Sequence, residues 1–443
     1  MKTKTIILII SMLSPFLLIA QQPDIPDSWS LTDCIDYALK QNIQVRQSIL
    51  TNLSNKVNMN QADANKLPSV SASVRQNFSW TNKKDLTTGN SKFAGNNSTS
   101  YSVSSSLTLY NGARLNNLIK QAELDMQSGI YDSETIKESV TISILNAYLQ
   151  VLFTEEQIKN AQSQMESTQE QLNLAEERLQ VGIISQSDYL QVKSQLASDK
   201  LSLENAKSQY AIARVSLMQL MELPVNNEFT ISEPNLGELV DQNLSPSATD
   251  VYNIALKIKP QIKSAEYNKE SAALNEKIAK SGYYPTLSAE AGIGTGYSNL
   301  SESGYFSQIN DQISPSLGLS LSIPIFQKNQ VKTNISLAKI NYQNAELQEI
   351  NTKNQLRKEI EQICVDVVSA QTEYEASLEQ YNSTMESYNL AEEKFNNGLI
   401  NSVDFLFEKT NLIVAQSQLL QSKFQLIFNY KILDFYEGNP IIL

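Results

Sequence analysis

Histidine is absent from all 443 residues, which removes the commonest general base and the commonest metal ligand together. There are two cysteines, Cys34 and Cys364, far apart along the chain. One pair is no disulfide framework for this length, and both are expected as small apolar residues inside helices. No phosphate loop, Gly-x-Ser-x-Gly elbow or Cys-x-x-Cys occurs, so no catalytic, cofactor or metal site is expected. Basic charge is short as well: 35 Lys and Arg face 47 Asp and Glu, a net −12. Such a chain is a poor partner for nucleic acid.

Breakers are missing over long stretches. No proline lies between Pro68 and Pro224, or between Pro324 and Pro440. From Ala113 to Glu222 the only glycines are Gly129 and Gly182, and from Ile325 to Glu437 the only one is Gly398. These stretches, rich in Gln, Glu, Leu, Ala and Lys, read as very long helices. Ile142, Leu145, Leu149 and Leu152 keep a 3-4-3 spacing, as do Ile360, Ile363, Val367 and Ala370, which is the narrow apolar seam of a coiled coil. Gly182 and Gly398 stand where each long helix is expected to end and turn back. At about 1.5 Å per residue, the run from Ala113 to Val181 is roughly 100 Å long.

At the start, Lys2 and Lys4 precede an apolar run from Ile6 to Ile19, and Ala20-Gln21 offers a small-residue cleavage site. Residues 1–20 therefore read as a secretory signal peptide. Its removal takes two lysines and leaves a net charge of −14.

What is present is a duplication. Asn173–Leu190 reads NLAEERLQVGIISQSDYL and Asn389–Leu406 reads NLAEEKFNNGLINSVDFL, identical at nine of eighteen positions. That offset of 216 also carries Pro224 onto Pro440, and an offset of 217 carries Pro68 onto Pro285 and Ala38-Leu39-Lys40 onto Ala255-Leu256-Lys257. Two repeats follow, 21–247 and 248–443. Each is expected to hold a helix, a β-hairpin (about 68–110 and about 285–325) and a long helical hairpin (about 112–222 and about 327–437), with 223–247 as linker.

After Pro68 and Pro285 the period changes to two. Val70, Ala72, Val74, Phe78 and Trp80 alternate with Ser69, Ser71, Ser73, Arg75, Asn77 and Ser79. Tyr101, Val103, Leu107 and Leu109 alternate with serine and threonine, and so do Leu317, Leu319 and Leu321 with serine and glycine. One apolar face and one small polar face suit a membrane β-barrel better than a soluble sandwich. The polar stretches 81–98 and 299–312 are expected as extracellular loops. Trp80, Tyr101 and Tyr297 are expected near the outer interface, Tyr110 and Phe326 near the inner one. Four strands cannot close a barrel, and lipid tolerates no open edge. Two, three or four copies would supply eight, twelve or sixteen strands.

The duplicated segments Leu174-Ala175-Glu176 through Gly182 to Asp188-Tyr189-Leu190, and Leu390-Ala391-Glu392 through Gly398 to Asp404-Phe405-Leu406, resemble the TolC outer-membrane efflux family. So do the junctions Leu109-Tyr110-Asn111-Gly112 and Ile323-Pro324-Ile325-Phe326. The resemblance covers essentially the whole chain after the leader. It implies an α+β membrane protein, a homotrimer whose twelve-stranded β-barrel crosses outer-membrane lipid and continues as a twelve-helix α-barrel in the periplasm. Half-length helices, about Leu31–Lys66, Gln186–Glu222, Ala248–Ser281 and Ser402–Phe435, stack beside the two long ones. The implied role is a passive exit duct for small toxic compounds, working with a periplasmic membrane-fusion adaptor and an inner-membrane transporter. Polypeptide secretion through the same duct is the alternative, and a coiled-coil surface stalk a distant one.

Val181, Gly182 and Ile183, with Asn397, Gly398 and Leu399, match the family's adaptor-docking tips. Asp188 and Asp404 match positions where related channels place acidic rings that narrow the pore. Ser185-x-x-Asp188 and Asn401-x-x-Asp404 read equally as helix caps, so gate and cap both stand as expectations. Phe407 and Ile400 occupy positions where some relatives carry a second aspartate and a gate-tying arginine.

Overall fold

The computed structural model describes residues 28–84, 89, 91–224, 229–234 and 246–443. The expected leader lies outside the described residues, as does most of the linker. In chain order the elements are α1 (Leu31–Gln41), α2 (Ile43–Ala64), β1 (Ser69–Lys84), β2 (Ser91–Tyr110), α3 (Arg114–Gln180) and α4 (Gln186–Leu220). The second repeat follows with α5 (Ala248–Ile258), α6 (Pro260–Lys280), β3 (Thr286–Ser298), α7 (Tyr305–Asp311), β4 (Ser314–Ser322), α8 (Gln330–Asn396) and α9 (Ser402–Glu437). The long helices α3 and α8 each have 67 residues, about 100 Å of helix.

The half-length helix at the head of each repeat is not continuous as expected. It breaks at Asn42 and at Lys259, 217 residues apart, with nearly the same extended backbone (φ −56°, ψ 131° and φ −71°, ψ 125°). At Lys259 the following proline disfavours helical geometry. At Asn42 side-chain bonds do the work: Oδ1 accepts from the Gln44 N–H and Nδ2 donates to the Leu220 carbonyl.

The main core sits at the waist of the bundle. It joins Val140–Leu152 of α3, Leu356–Ala370 of α8 and Phe424–Leu433 of α9 to α1, α5 and Trp29. Both expected seams are there, buried at Leu145, Leu149, Leu152, Ile360, Ile363, Val367 and Ala370, with Ile142 half-buried. Cys34 and Cys364 are free, buried helical thiols, and burial pushes the Cys34 thiol up to about 12. Around the waist, Trp29 bridges Ile231 of the linker, and Tyr148 donates to the Ser232 carbonyl at 2.7 Å.

The strands form one antiparallel sheet in the order β1-β2-β3-β4. On its polar face the serines pair across strands, with Oγ–Oγ distances of 2.9 Å for Ser69–Ser106, 3.1 Å for Ser71–Ser104 and 2.8 Å for Ser73–Ser102. On the other face Val70, Val74, Leu317, Leu319 and Leu321 are bare. The first hairpin differs from expectation: pairing runs on through Lys84 and Ser91, so much of 81–98 is strand. Polar residues serve there because cross-strand pairing needs no buried side chain. Part of 299–312 is the helix α7, whose Tyr305 packs on Tyr297 and meets the Tyr101 hydroxyl at 2.6 Å.

The layers share one topology. The sheet ends at β1 and β4. Beside it α2 packs on α3, α3 on α6 and α6 on α8, so the helical layer ends at α2 and α8. Those outer helices carry unpartnered apolar seams, Leu50, Leu53 and Val57 on α2 and Leu337, Ile340, Leu347 and Ile350 on α8. Open edges at both levels demand another copy joined head to tail.

The two faces make opposite predictions for one added charge. Leu317→Lys should cost about 2–4 kcal/mol if that face meets lipid, and should deplete heat-resistant oligomer on unboiled gels. Ser316→Lys, one residue away on the other face, should assemble normally. The reverse ranking would exchange the faces.

Candidate functional site

The distal ends of the two helical hairpins are near copies. α3 and α8 each end on a left-handed glycine, Gly182 at φ 74° and Gly398 at φ 73°. The Gly182 N–H donates to the Leu179 carbonyl at 3.0 Å and the Ile183 N–H to Arg178 at 2.9 Å. In the second hairpin Gly398 donates to Phe395 at 3.1 Å and Leu399 to Lys394 at 2.8 Å. This double bond pattern closes a helix on a residue that needs positive φ. A Cβ at either glycine would meet open space, so only backbone geometry selects glycine there. The turns project apolar side chains outward: Val181, Ile183 and Leu399 are 70%, 72% and 73% exposed. Asn397, also exposed, folds its amide back onto the Glu393 carbonyl at 2.9 Å.

The two aspartates differ. Asp188 closes a capping box, its Oδ2 accepting from the Ser185 N–H at 3.1 Å and the Ser185 hydroxyl at 2.7 Å, while its own N–H donates to Ser185 Oγ. Its Oδ1 lies 2.7 Å from Ser402 Oγ at the start of α9. The Ser185 and Ser402 hydroxyls hold its carboxyl below the usual carboxylate range. Asp404 has only its N–H in the cap, donating to Asn401 Oδ1 at 2.9 Å, and its side chain is exposed. Phe407 is exposed, and Ile400 is half-buried against a small cluster of Tyr388, Ala391, Phe405 and Leu412.

Three ties join the hairpins above the tips. The Asp188–Ser402 contact is the first. In the second, Arg178 donates to the last carbonyls of α8, Phe395 at 3.5 Å and Asn396 at 3.1 Å, with its guanidinium over the Phe395 ring. A cation suits the negative end of a helix. The third is buried. Lys409 of α9, 2% exposed, donates to Thr168 Oγ1 at 2.8 Å and Gln171 Oε1 at 3.0 Å. Thr168 in turn donates to Asp199 of α4, itself 4% exposed. Loss of water around Lys409 brings its pKa down to about 8, against the pull of Asp199.

The family model described as "Outer membrane efflux protein" matches residues 34–222 and 251–435. The chain belongs to that family. Among similar proteins, the pyoverdine export outer membrane protein OpmQ of Pseudomonas putida is 26% identical over 207 residues, 47% of this chain. That match spans 42% of the relative, less than half its length. The toxin and drug export protein A of Aggregatibacter actinomycetemcomitans is 22% identical over 343 residues, 74% of this chain and 70% of that protein. The crystal structure of the outer membrane protein VceC from Vibrio cholerae shares the fold with a TM-score of 0.76 at 16% identity, covering 93% of this chain and 96% of that one. Outer membrane efflux proteins are in general homotrimers, and this chain has the fold of one such subunit, a four-stranded sheet for the outer membrane and long helices for the periplasm.

Lys409 and Asp199 were not singled out in the sequence, although a signal was there. Phe405, Lys409 and Leu412 keep a 4-3 spacing, as do Leu196, Asp199 and Leu203 with 3-4. Each charge holds a seam position. Lys409→Ala removes the cation that faces buried Asp199 through Thr168 and leaves Asp199 only its bonds from Thr168 and Gln195, which should cost about 1–3 kcal/mol and lower the urea midpoint of the purified protein. Lys409→Met with Asp199→Leu should recover most of that loss. An unchanged midpoint for Lys409→Ala would remove the tie.

Proposed function

We propose that this chain is the outer-membrane channel of a tripartite efflux system, a passive exit duct for small toxic compounds. A periplasmic membrane-fusion adaptor meets its tips, and an inner-membrane transporter supplies the energy. The observation that carries this reading is the pair of matching glycine turns with bare apolar flanks at the far end of helices about 100 Å long. Repeated three times, they make two sets of three contact points at the mouth of a tube. The name of the toxin and drug export protein A keeps polypeptide export as a second reading for the same duct.

Val181, Gly182, Ile183, Asn397, Gly398 and Leu399 are the proposed docking residues. Gly182→Trp or Gly398→Trp has room for its side chain, with a backbone cost of roughly 1–2 kcal/mol. Either should leave assembled trimer in the outer membrane yet abolish efflux, read as ethidium accumulation in cells that depend on this duct. Normal efflux with both variants would reject tip docking.

Asp188 and Asp404 are the proposed gate, as two rings of three carboxylates. Asp404 is the stronger member, because the Asp188 carboxylate is held by Ser185 and Ser402. In planar bilayers, Asp404→Ala should relieve block by hexamminecobalt(III) added on the periplasmic side, and Asp188→Ala should relieve it less. Block unchanged in both would leave these residues as caps alone.

A further inference from the structure

Over the rows from Ser69 to Arg75 the polar face of the sheet is almost featureless, and its two exceptions there have opposite charge. Glu290 stands in the row of Ser69, Ser106 and Gly318, at the end of the sheet next to the helices. Arg75 stands in the row of Ser100 and Gly296, three rows further out. The rows between them carry only serine and glycine. Those serines lie along the wall, their hydroxyls paired across strands. Glu290 and Arg75 are both exposed, and in this section they alone have side chains long enough to stand off the wall. No charge lies on the apolar face between the same rows, as lipid contact demands.

We propose that in the trimer three Glu290 carboxylates and three Arg75 guanidinium groups form two charged rings inside the barrel. One is a cation-binding ring at the periplasmic end, the other an anion-binding ring toward the outside, and together they set which charged solutes the barrel retains. The inference rests on the exit-duct reading. Six residues of β1 separate the two rows, roughly 20 Å of strand. Screening reaches about 10 Å in 0.1 M salt, so each ring acts on its own there and binds its own class of ion. The whole chain's acidic balance predicts a cation-preferring pore throughout, whereas the Arg75 ring places an anion site in the path.

The test uses the mature full-length protein in planar bilayers at about 0.1 M KCl, where the screening length is still about 10 Å. Both probes are added on the extracellular side, so that they meet the barrel before the tips. Inorganic tripolyphosphate should reduce the current, and Arg75→Gln should weaken that block about tenfold, the order expected when three exposed charge pairs vanish together. Arg75→Lys should retain it. Spermine should also block, with Glu290→Gln weakening its block by a similar factor and leaving that by tripolyphosphate in place. Both blocks should fade near 1 M KCl, where screening shortens to about 3 Å. Arg75→Gln or Glu290→Gln channels of ordinary conductance that are blocked as well as the unaltered protein would overturn the rings. Absence of any current both from the unaltered protein and from the Asp188→Ala, Asp404→Ala variant, whose proposed gate is removed, would instead overturn the duct.

Discussion

An unpaired strand edge has nowhere to put its N–H and C=O groups in hydrocarbon, where each one left unsatisfied costs several kcal/mol. The sheet of this chain has two such edges, β1 and β4. Everything below the membrane follows the same geometry. The first-repeat helices α2 and α4 lie at one side, α8 at the other, and apolar seams face outward on α2 and α8. Closure at the barrel and closure at the tube are therefore one event. A chain that found only its helical neighbours would still carry bare strand edges, so a closed ring of copies is needed before these edge groups are satisfied.

Inside that closed form the seams have to hold one register. A buried ion pair is weak support for stability, since desolvation offsets most of the attraction. Its better-attested role is to fix alignment, as a polar residue at one seam position does in coiled coils. Lys409 and Asp199 fit that role: they face each other through Thr168 where leucines would otherwise meet, and only one arrangement of α3, α4 and α9 satisfies both. Lys259 does similar work at the waist, lying over the Phe435 ring with Glu138 at 3.3 Å.

Much of this was legible in the order of residues. Period two in Ser69–Trp80, seams at Leu145–Leu152 and Ile360–Ala370, and the duplicated glycine turns each follow from local physics that the chain obeys. The extension of β1 and β2 through 81–84 and 91–98 was hidden, because Asn, Lys, Thr and Gly signal loops wherever pairing is not already in place. The break at Asn42 was hidden too, as neither proline nor glycine marks it and its cause is a carbonyl 178 residues away. At the tips, sequence could pair Asp188 with Ser185 but could not see Ser402 arriving from the other hairpin, which is what makes the two aspartates unequal.

The turns that lead into the long helices carry a last consequence. Gly112 and Ala113 are both left-handed, and 216 residues later so are Lys328 and Asn329. Glycine adopts that backbone without steric cost, while lysine does so against it. At Gly112 a side chain would strike Tyr284 at 2.8 Å, a crowding that keeps the glycine in place. Its twin is free of any such demand in sequence and holds the same shape regardless. The two copies thus keep one bend with different residues: what the repeat holds constant is the path of the backbone, because a barrel strand must be handed to a tube helix at the same angle on both sides of the repeat.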